Sequence, residues 1–279
     1  MALESSSLFN AISGVTTLEF IGLMAGLMQL IAYFDYYRKV VAGGVNPSPL
    51  SWLMFTYGTI FLIILQLDAG ASLAVMALPI ACSLGSFLVA FNIWLKSYRE
   101  SGKLWPKEWR FERDDDDGKS FRIDRRLTGC YLFVGALASI NLWQTIGLEA
   151  PLSEHMREWA AIWILILSNA STFPGFGPMI RATKGDPNSE NWRPWALWAA
   201  AYFVLLGVTW VDVDIARIPA SLNPFSWGLE YWTWLTFMSY PASCGYLHAR
   251  VSWLARPIAQ QRHKEELEQQ RRKQALALA

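Results

Sequence analysis

Polar side chains inside apolar segments are where this sequence has material for chemistry, because in hydrocarbon such groups are costly and face a bundle interior or a water-filled cavity. They are Gln29, Asp35, Ser83, Ser86, Asn92, Asn141, Gln144, Ser168, Asn169, Ser171, Thr172, Ser243 and His248. Asp35 stands one turn before Arg38, which predicts a local ion pair. His248 carries an imidazole, the side chain that titrates nearest neutrality, and its expected partner is a backbone carbonyl. Asn169 and Ser171 precede Pro174, where a break in a membrane helix opens onto a cavity. They lead the candidates for contact with a small solute, joined by Ser83, Ser243 and Trp198, whose indole offers a flat face to a sugar or nucleoside ring. Trp52 and Trp195 fall near a membrane surface and are expected to anchor there. Trp210, near the far end of its segment, is a candidate for half of an outer gate.

Other chemistries lack their residues. Three His are too few for a bis-imidazole haem bundle, and neither zinc-ligand spacing, a phosphate-binding glycine loop nor a nucleophile triad is present. Scattered carboxylates leave one weak route to a membrane enzyme, so neither catalysis nor a cofactor nor a metal is expected. The run Asp114 to Asp117 before Gly118 suggests calcium, but a calcium loop with Gly118 at its sixth position would begin at Arg113, which cannot be a ligand. A solvated charge run fits better. Cys82, Cys130 and Cys244 all lie in apolar runs and read as small buried hydrophobes, not as a disulfide framework.

The elements that position these residues are membrane helices. Of the 279 residues 53% are apolar, 14% aromatic and only 17% charged, with 15 Trp, and several apolar runs approach the ~20 residues that cross a bilayer. Spans are predicted at 18–40, 50–67, 71–96, 128–147, 159–181, 194–211 and 231–252. The first 37 residues contain no Lys or Arg, so the basic start of a cleavable signal peptide is not expected. The tail 260–279, rich in helix formers and mixed charge, reads as a solubilising cytosolic helix. Nucleic acid is not an expected partner; the bilayer and a small solute are, with a second copy of the chain or a membrane-complex subunit as further contacts.

Landmarks recur in the same order. Arg38, Pro47 and Trp52 are matched by Arg181, Pro187 and Trp195, with Trp 14 positions after Arg in each half. Met76, Pro79 and Cys82 are matched by Met238, Pro241 and Cys244. Internal repetition of this kind predicts a duplicated unit: an all-α membrane protein with seven transmembrane helices, arranged as a 3+1+3 parallel repeat of triple-helix bundles. The parts are a first repeat (1–98), a charged cytosolic loop (99–127), an inverting linker helix (128–150), a second repeat (151–254) and a cytosolic tail (255–279). With the N-terminus outside and the C-terminus in the cytoplasm, every one of the 24 Lys and Arg except Arg157 and Arg217 falls inside, as the positive-inside rule requires. Pro79, Pro174, Pro178 and Pro241 each remove a backbone donor and are candidate hinges.

This pattern resembles the SWEET and PQ-loop superfamily of transporters. The carrying residues are Thr172, Phe173 and Pro174 through Arg181 to Pro194 and Trp195, and more weakly Arg38 through Pro49 to Trp52, Tyr57 and Gly58. Pro241 to Gly245 stands where the family has a proline and a sugar-contacting Asn in its last helix. Here Ala242 occupies the Asn position, and Met179 follows Pro178 where the family has Gln. The resemblance implies passive, alternating-access transport of a small neutral or weakly polar solute such as a sugar, nucleoside, amino acid or vitamin. A non-transporting membrane subunit that binds a protein, pigment or lipid is the competing expectation.

Overall fold

The computed structural model describes residues 16–45, 47, 49–68, 71–103, 129, 133, 135–137, 154–212 and 228–278. Among them the chain forms α1 (Thr17–Val41), α2 (Pro49–Asp68), α3 (Leu73–Ser101), α4 (Glu154–Gly185), α5 (Trp192–Asp212), α6 (Leu229–Leu254) and α7 (Pro257–Leu278). No strand occurs among the described residues. Helices α1 to α6 lie over six of the expected spans. The span at 128–147, the charged run Asp114 to Asp117, and Cys130 lie outside the described residues, apart from 129, 133 and 135–137.

Among the described residues four helical stretches are long and apolar enough to cross a membrane: Thr17–Val41, Leu73–Ser101, Trp159–Gly185 and Trp192–Val211. Ser51–Leu67 is apolar but shorter. α6, at 26 residues, has the length, but its many Trp, Tyr, Ser and Thr lower its mean hydropathy. The exterior matches lipid: Phe34, Leu84, Phe87, Leu88, Trp163 and Phe203 all stand more than half exposed, a breadth of outward apolar surface that water does not tolerate on a monomer. This is the make-up of an all-α integral membrane protein.

Local chemistry fixes the ends. Thr16 caps α1 reciprocally with Glu19: the Glu19 amide donates to Thr16 Oγ1 at 3.2 Å, and the Thr16 amide donates to Glu19 Oε2 at 2.8 Å. Gly102 closes α3 at φ 66°, a left-handed cap that suits glycine. Inside the spans, hydroxyls bond back to their own helices: Thr56 to the Trp52 carbonyl, Thr59 to Phe55, Thr209 to Leu205 and Thr236 to Trp232. That is how hydroxyls are tolerated where water cannot reach. Pro79 and Pro241 lie within α3 and α6. α4 is helical through positions 174 and 178, while the side chains of Ser171, Pro174 and Pro178 lie outside the described residues.

α3 packs against both α1 and α2, and α6 against both α4 and α5. Across the molecule α1 packs on α5, α2 on α4, and α3 touches α5. α1 and α3 approach each other closely. A Cβ on Gly22 would strike the Ala74 backbone, and one on Gly26 would lie 3.0 Å from the Ala77 carbonyl oxygen. Small residues four apart let helix backbones approach where lipid supplies no hydrophobic drive. Two buried clusters result. One, here the lower, gathers where α1, α3, α4 and α6 end and α2 and α5 begin, around Tyr36, Val45, Trp52, Trp195, Trp198 and Val251. The other holds Leu62, Leu65, Leu78, Leu165, Tyr202 and Tyr240.

Candidate functional site

Between the clusters lies a cavity of ≈ 40 Å³ walled mainly by rings. Tyr33 comes from α1, Trp52 and Phe55 from α2, Phe176 from α4, Trp195, Trp198 and Tyr202 from α5, and Tyr240 and His248 from α6. Their centroids lie close: Tyr33 to Trp198 4.8 Å, Trp195 to Trp198 4.8 Å, Phe176 to His248 4.8 Å, Tyr202 to His248 4.9 Å and Phe55 to Phe176 4.7 Å. Each such pair contributes ~0.5–1.5 kcal/mol beyond area, so the box is a rigid wall built from both halves of the chain. Tyr33 gains its seat from Gly85: a Cβ there would occupy the space of the tyrosine ring.

The polar groups of the wall are few. The Tyr33 hydroxyl and the Cys82 thiol lie 3.1 Å apart, Tyr202 donates to Cys82 Sγ at 3.5 Å, and the Tyr202 and Tyr240 hydroxyls share a bond of 3.1 Å. Trp198 donates its indole N–H to the Gln29 carbonyl at 3.3 Å. Asn169 donates through Nδ2 to the Thr236 carbonyl and to Ser239 Oγ, both at 2.9 Å. Its Oδ1 is buried with no protein partner. Asn169 is one of the residues that line the cavity, and among the described lining residues there is no Lys, Arg, Asp or Glu.

The structure brings Asn169 and Trp198 to the cavity; Ser83 and Ser243 stand half-buried outside its lining. Ser243 donates to the Tyr240 carbonyl at 3.0 Å, and the Ser83 carbonyl accepts from Ser86 at 3.2 Å. Their chain neighbours Cys82 and Cys244 take the wall positions instead. His248 has the expected carbonyl partner, with Nδ1 2.7 Å from the Cys244 oxygen. Two expectations are corrected. Trp52 and Trp195 are 1% exposed, core residues and not interfacial anchors, because the faces of α2 and α5 that carry them turn towards Tyr36. Asp35 pairs with Lys39 at 3.0 Å, not with Arg38, since i,i+4 brings the two side chains onto one face. Trp210 is 45% exposed beside Trp234, at 5.7 Å.

One residue escapes a reading confined to spans. Glu190, in the short connection between α4 and α5, is 4% exposed. Tyr36 donates to its Oε1 at 3.1 Å and Trp195 to its Oε2 at 3.0 Å, so a carboxyl clasps α1 and α5 at the lower end of the aromatic box. Among the described residues no cation lies within 4.0 Å of it. Burial pushes its carboxyl up to about 7, against the opposing pull of the Trp195 and Tyr36 hydrogen bonds. Comparison with protein-family models, with curated proteins and with solved structures returned no match.

Proposed function

We propose that this chain is a passive carrier for a small neutral or weakly polar solute, built from two parallel three-helix units (1–98 and 151–254) whose shared cavity is the solute site. The observation that carries the reading is the composition of that cavity. In the register that pairs Arg38 with Arg181, Tyr33, Trp52, Phe55 and Thr59 correspond to Phe176, Trp195, Trp198 and Tyr202. In the register that pairs Met76 with Met238, Cys82 corresponds to Cys244. All of these line one space. Helix pairing supports the same plan: α1 on α5 and α2 on α4 exchange under the symmetry that relates the repeats, as do α3 and α6, each packed against the other two helices of its unit. Parallel repeats of this kind, with a solute site between them, are a known transporter plan.

A cavity of ≈ 40 Å³ holds only a few waters, so the described state is closed and the units must part to admit a solute. Pro79 and Pro241, matched in the two repeats, are the bending points. The side that carries the α1–α2 and α4–α5 connections is the cytoplasmic one, placing the N-terminus outside. The resemblance to SWEET and PQ-loop transporters agrees with this plan. Uptake into proteoliposomes from a panel of sugars, nucleosides and amino acids tests it. Flux above empty vesicles that falls when Asn169 is replaced by Ala supports a carrier; absence of flux across the panel sinks the reading. The density of ring contacts around so small a space favours a second reading, a membrane subunit that holds a protein, pigment or lipid partner. Copurification of a fixed partner, with no flux, selects it.

A further inference from the structure

A second cavity lies at the lower end, outside the aromatic box. It measures ≈ 220 Å³ and is lined by Lys184 at the close of α4, Pro187 of the α4–α5 connection, Trp253 and Arg256 at the end of α6, and residues of the first turns of α7. From α7 come Arg262, His263 and Glu266. Three full cations thus meet a single carboxylate. The Arg256 guanidinium is stacked on Trp253, its Cζ 3.2 Å from the ring centroid, and its Nε is buried with no protein partner. Two bonds fix the frame: Gln260 donates to the Pro187 carbonyl at 3.2 Å, and Ser252 donates to the Trp192 carbonyl at 3.1 Å.

Trp253 and Ile258, both more than half exposed, line the cavity where α6 ends and α7 begins, the place where a spanning helix leaves the bilayer. Indole and aliphatic side chains at that depth sit at the boundary between acyl chains and headgroups. A planar guanidinium held flat by stacking, on a residue that lines the cavity, suits an oxyanion with paired oxygens. We propose that this cavity binds a phosphate group at the membrane surface, with Arg256 and Arg262 as its principal ligands and Lys184 in support. The chemistry is shared by the headgroup of an anionic phospholipid and by free phosphate. The inference rests on membrane embedding alone, and stands or falls separately from solute transport.

The full chain in nanodiscs decides it. In mixed phosphatidylglycerol and phosphatidylcholine discs, native mass spectrometry is expected to find phosphatidylglycerol retained on the wild-type protein. Arg256→Gln with Arg262→Gln should lower that retention roughly tenfold or more. Arg271→Gln with Arg272→Gln, which removes equal charge from the exposed far part of α7, should leave it unchanged. In pure phosphatidylcholine discs, inorganic phosphate is titrated and followed by phosphorus NMR. Binding there that is lost in the Arg256/Arg262 variant, without lipid enrichment, assigns the site to soluble phosphate and keeps the proposal. Should breaking the Trp253 stack unfold the protein, Lys184→Gln and Arg262→Gln singly carry the same test. Retention of neither phosphate source, or equal losses from both double variants, overturns it, since the cations then form only a general basic surface.

Discussion

Glu190 shows how one side chain links packing to pH. Its ordinary carboxyl value is 4.5, and burial raises it to about 7. Below pH 4.5 the group is protonated whether the chain is folded or not. Between 4.5 and about 7 the unfolded chain releases its proton while the folded chain keeps it, so stability falls as pH rises. Above 7 the loss is complete, on the order of 3 kcal/mol at 1.36 kcal/mol for each pH unit of displacement. Gln in its place cannot ionise, yet it presents an amide N–H to one of two donors and forfeits a hydrogen bond worth about 1 kcal/mol. Glu190→Gln should therefore melt below wild type at pH 5 and above it at pH 8, the two curves crossing in between. Parallel melting curves across that range would take the carboxyl out of the account. Asn169 makes a simpler case. Asn169→Ala removes the bonds donated to the Thr236 carbonyl and to Ser239 Oγ, while Ser239 Oγ still donates to that carbonyl at 2.8 Å, so the change should cost about 0.5–1.5 kcal/mol and lower the melting temperature whatever it does to flux.

At the level of helices, close packing sets the tolerance to change. The ring of Tyr33 fills the space beside Gly85, so Gly85→Ala must push a wall residue of the cavity aside. Overpacking of this sort typically costs about 1–3 kcal/mol. A lowered melting temperature is expected, restored in part by adding Tyr33→Leu, whose smaller side chain makes room; an unchanged melting temperature would mean that α1 and α3 slide apart freely. Much of this level was legible in the sequence, because uninterrupted apolar runs announce the helices. What escaped was orientation about each axis. Gly22, Ala25, Gly26, Gln29, Ala32, Tyr33, Tyr36 and Val40 are the buried residues of α1, a stripe at helical spacing that is small, polar and aromatic while its outward neighbours are Leu, Ile, Met and Phe. In lipid the greasy side faces out and the mixed side faces in, the reverse of a soluble helix, so apolarity alone placed the spans without turning them. The same inversion explains why Trp52 and Trp195 read as surface anchors. Glu190 escaped because a carboxylate among Asp, Asn and Ser in a short loop looks solvated, and nothing in the sequence shows that Tyr36 of α1 and Trp195 of α5 close over it.

For the molecule as a whole, sidedness decides which mechanism is open to it. The lower cluster joins Val45, just beyond α1, to Trp195 at the head of α5, so the α1–α2 and α4–α5 connections emerge at one end. If the units are parallel copies and basic residues stay inside, both connections face the cytoplasm together with α7. Gly44 and Asn188 are exposed, one in each connection, and Cys82 and Cys244 are buried. With Cys130 changed to Ser, Gly44→Cys and Asn188→Cys should each resist a membrane-impermeant maleimide in intact cells and react once the membrane is permeabilised. Ser6→Cys, in the segment before α1, should behave in the opposite way. Labelling of Gly44→Cys and Asn188→Cys from opposite sides would be incompatible with parallel units, and labelling of both from outside would invert the topology. In the first case the parallel-unit mechanism proposed for the aromatic cavity would fall; in the second the units would remain parallel, with their two sides exchanged. The phosphate cavity would survive the second outcome, moved to the other leaflet, since Arg256, Arg262 and Lys184 meet there whichever way the bundle faces.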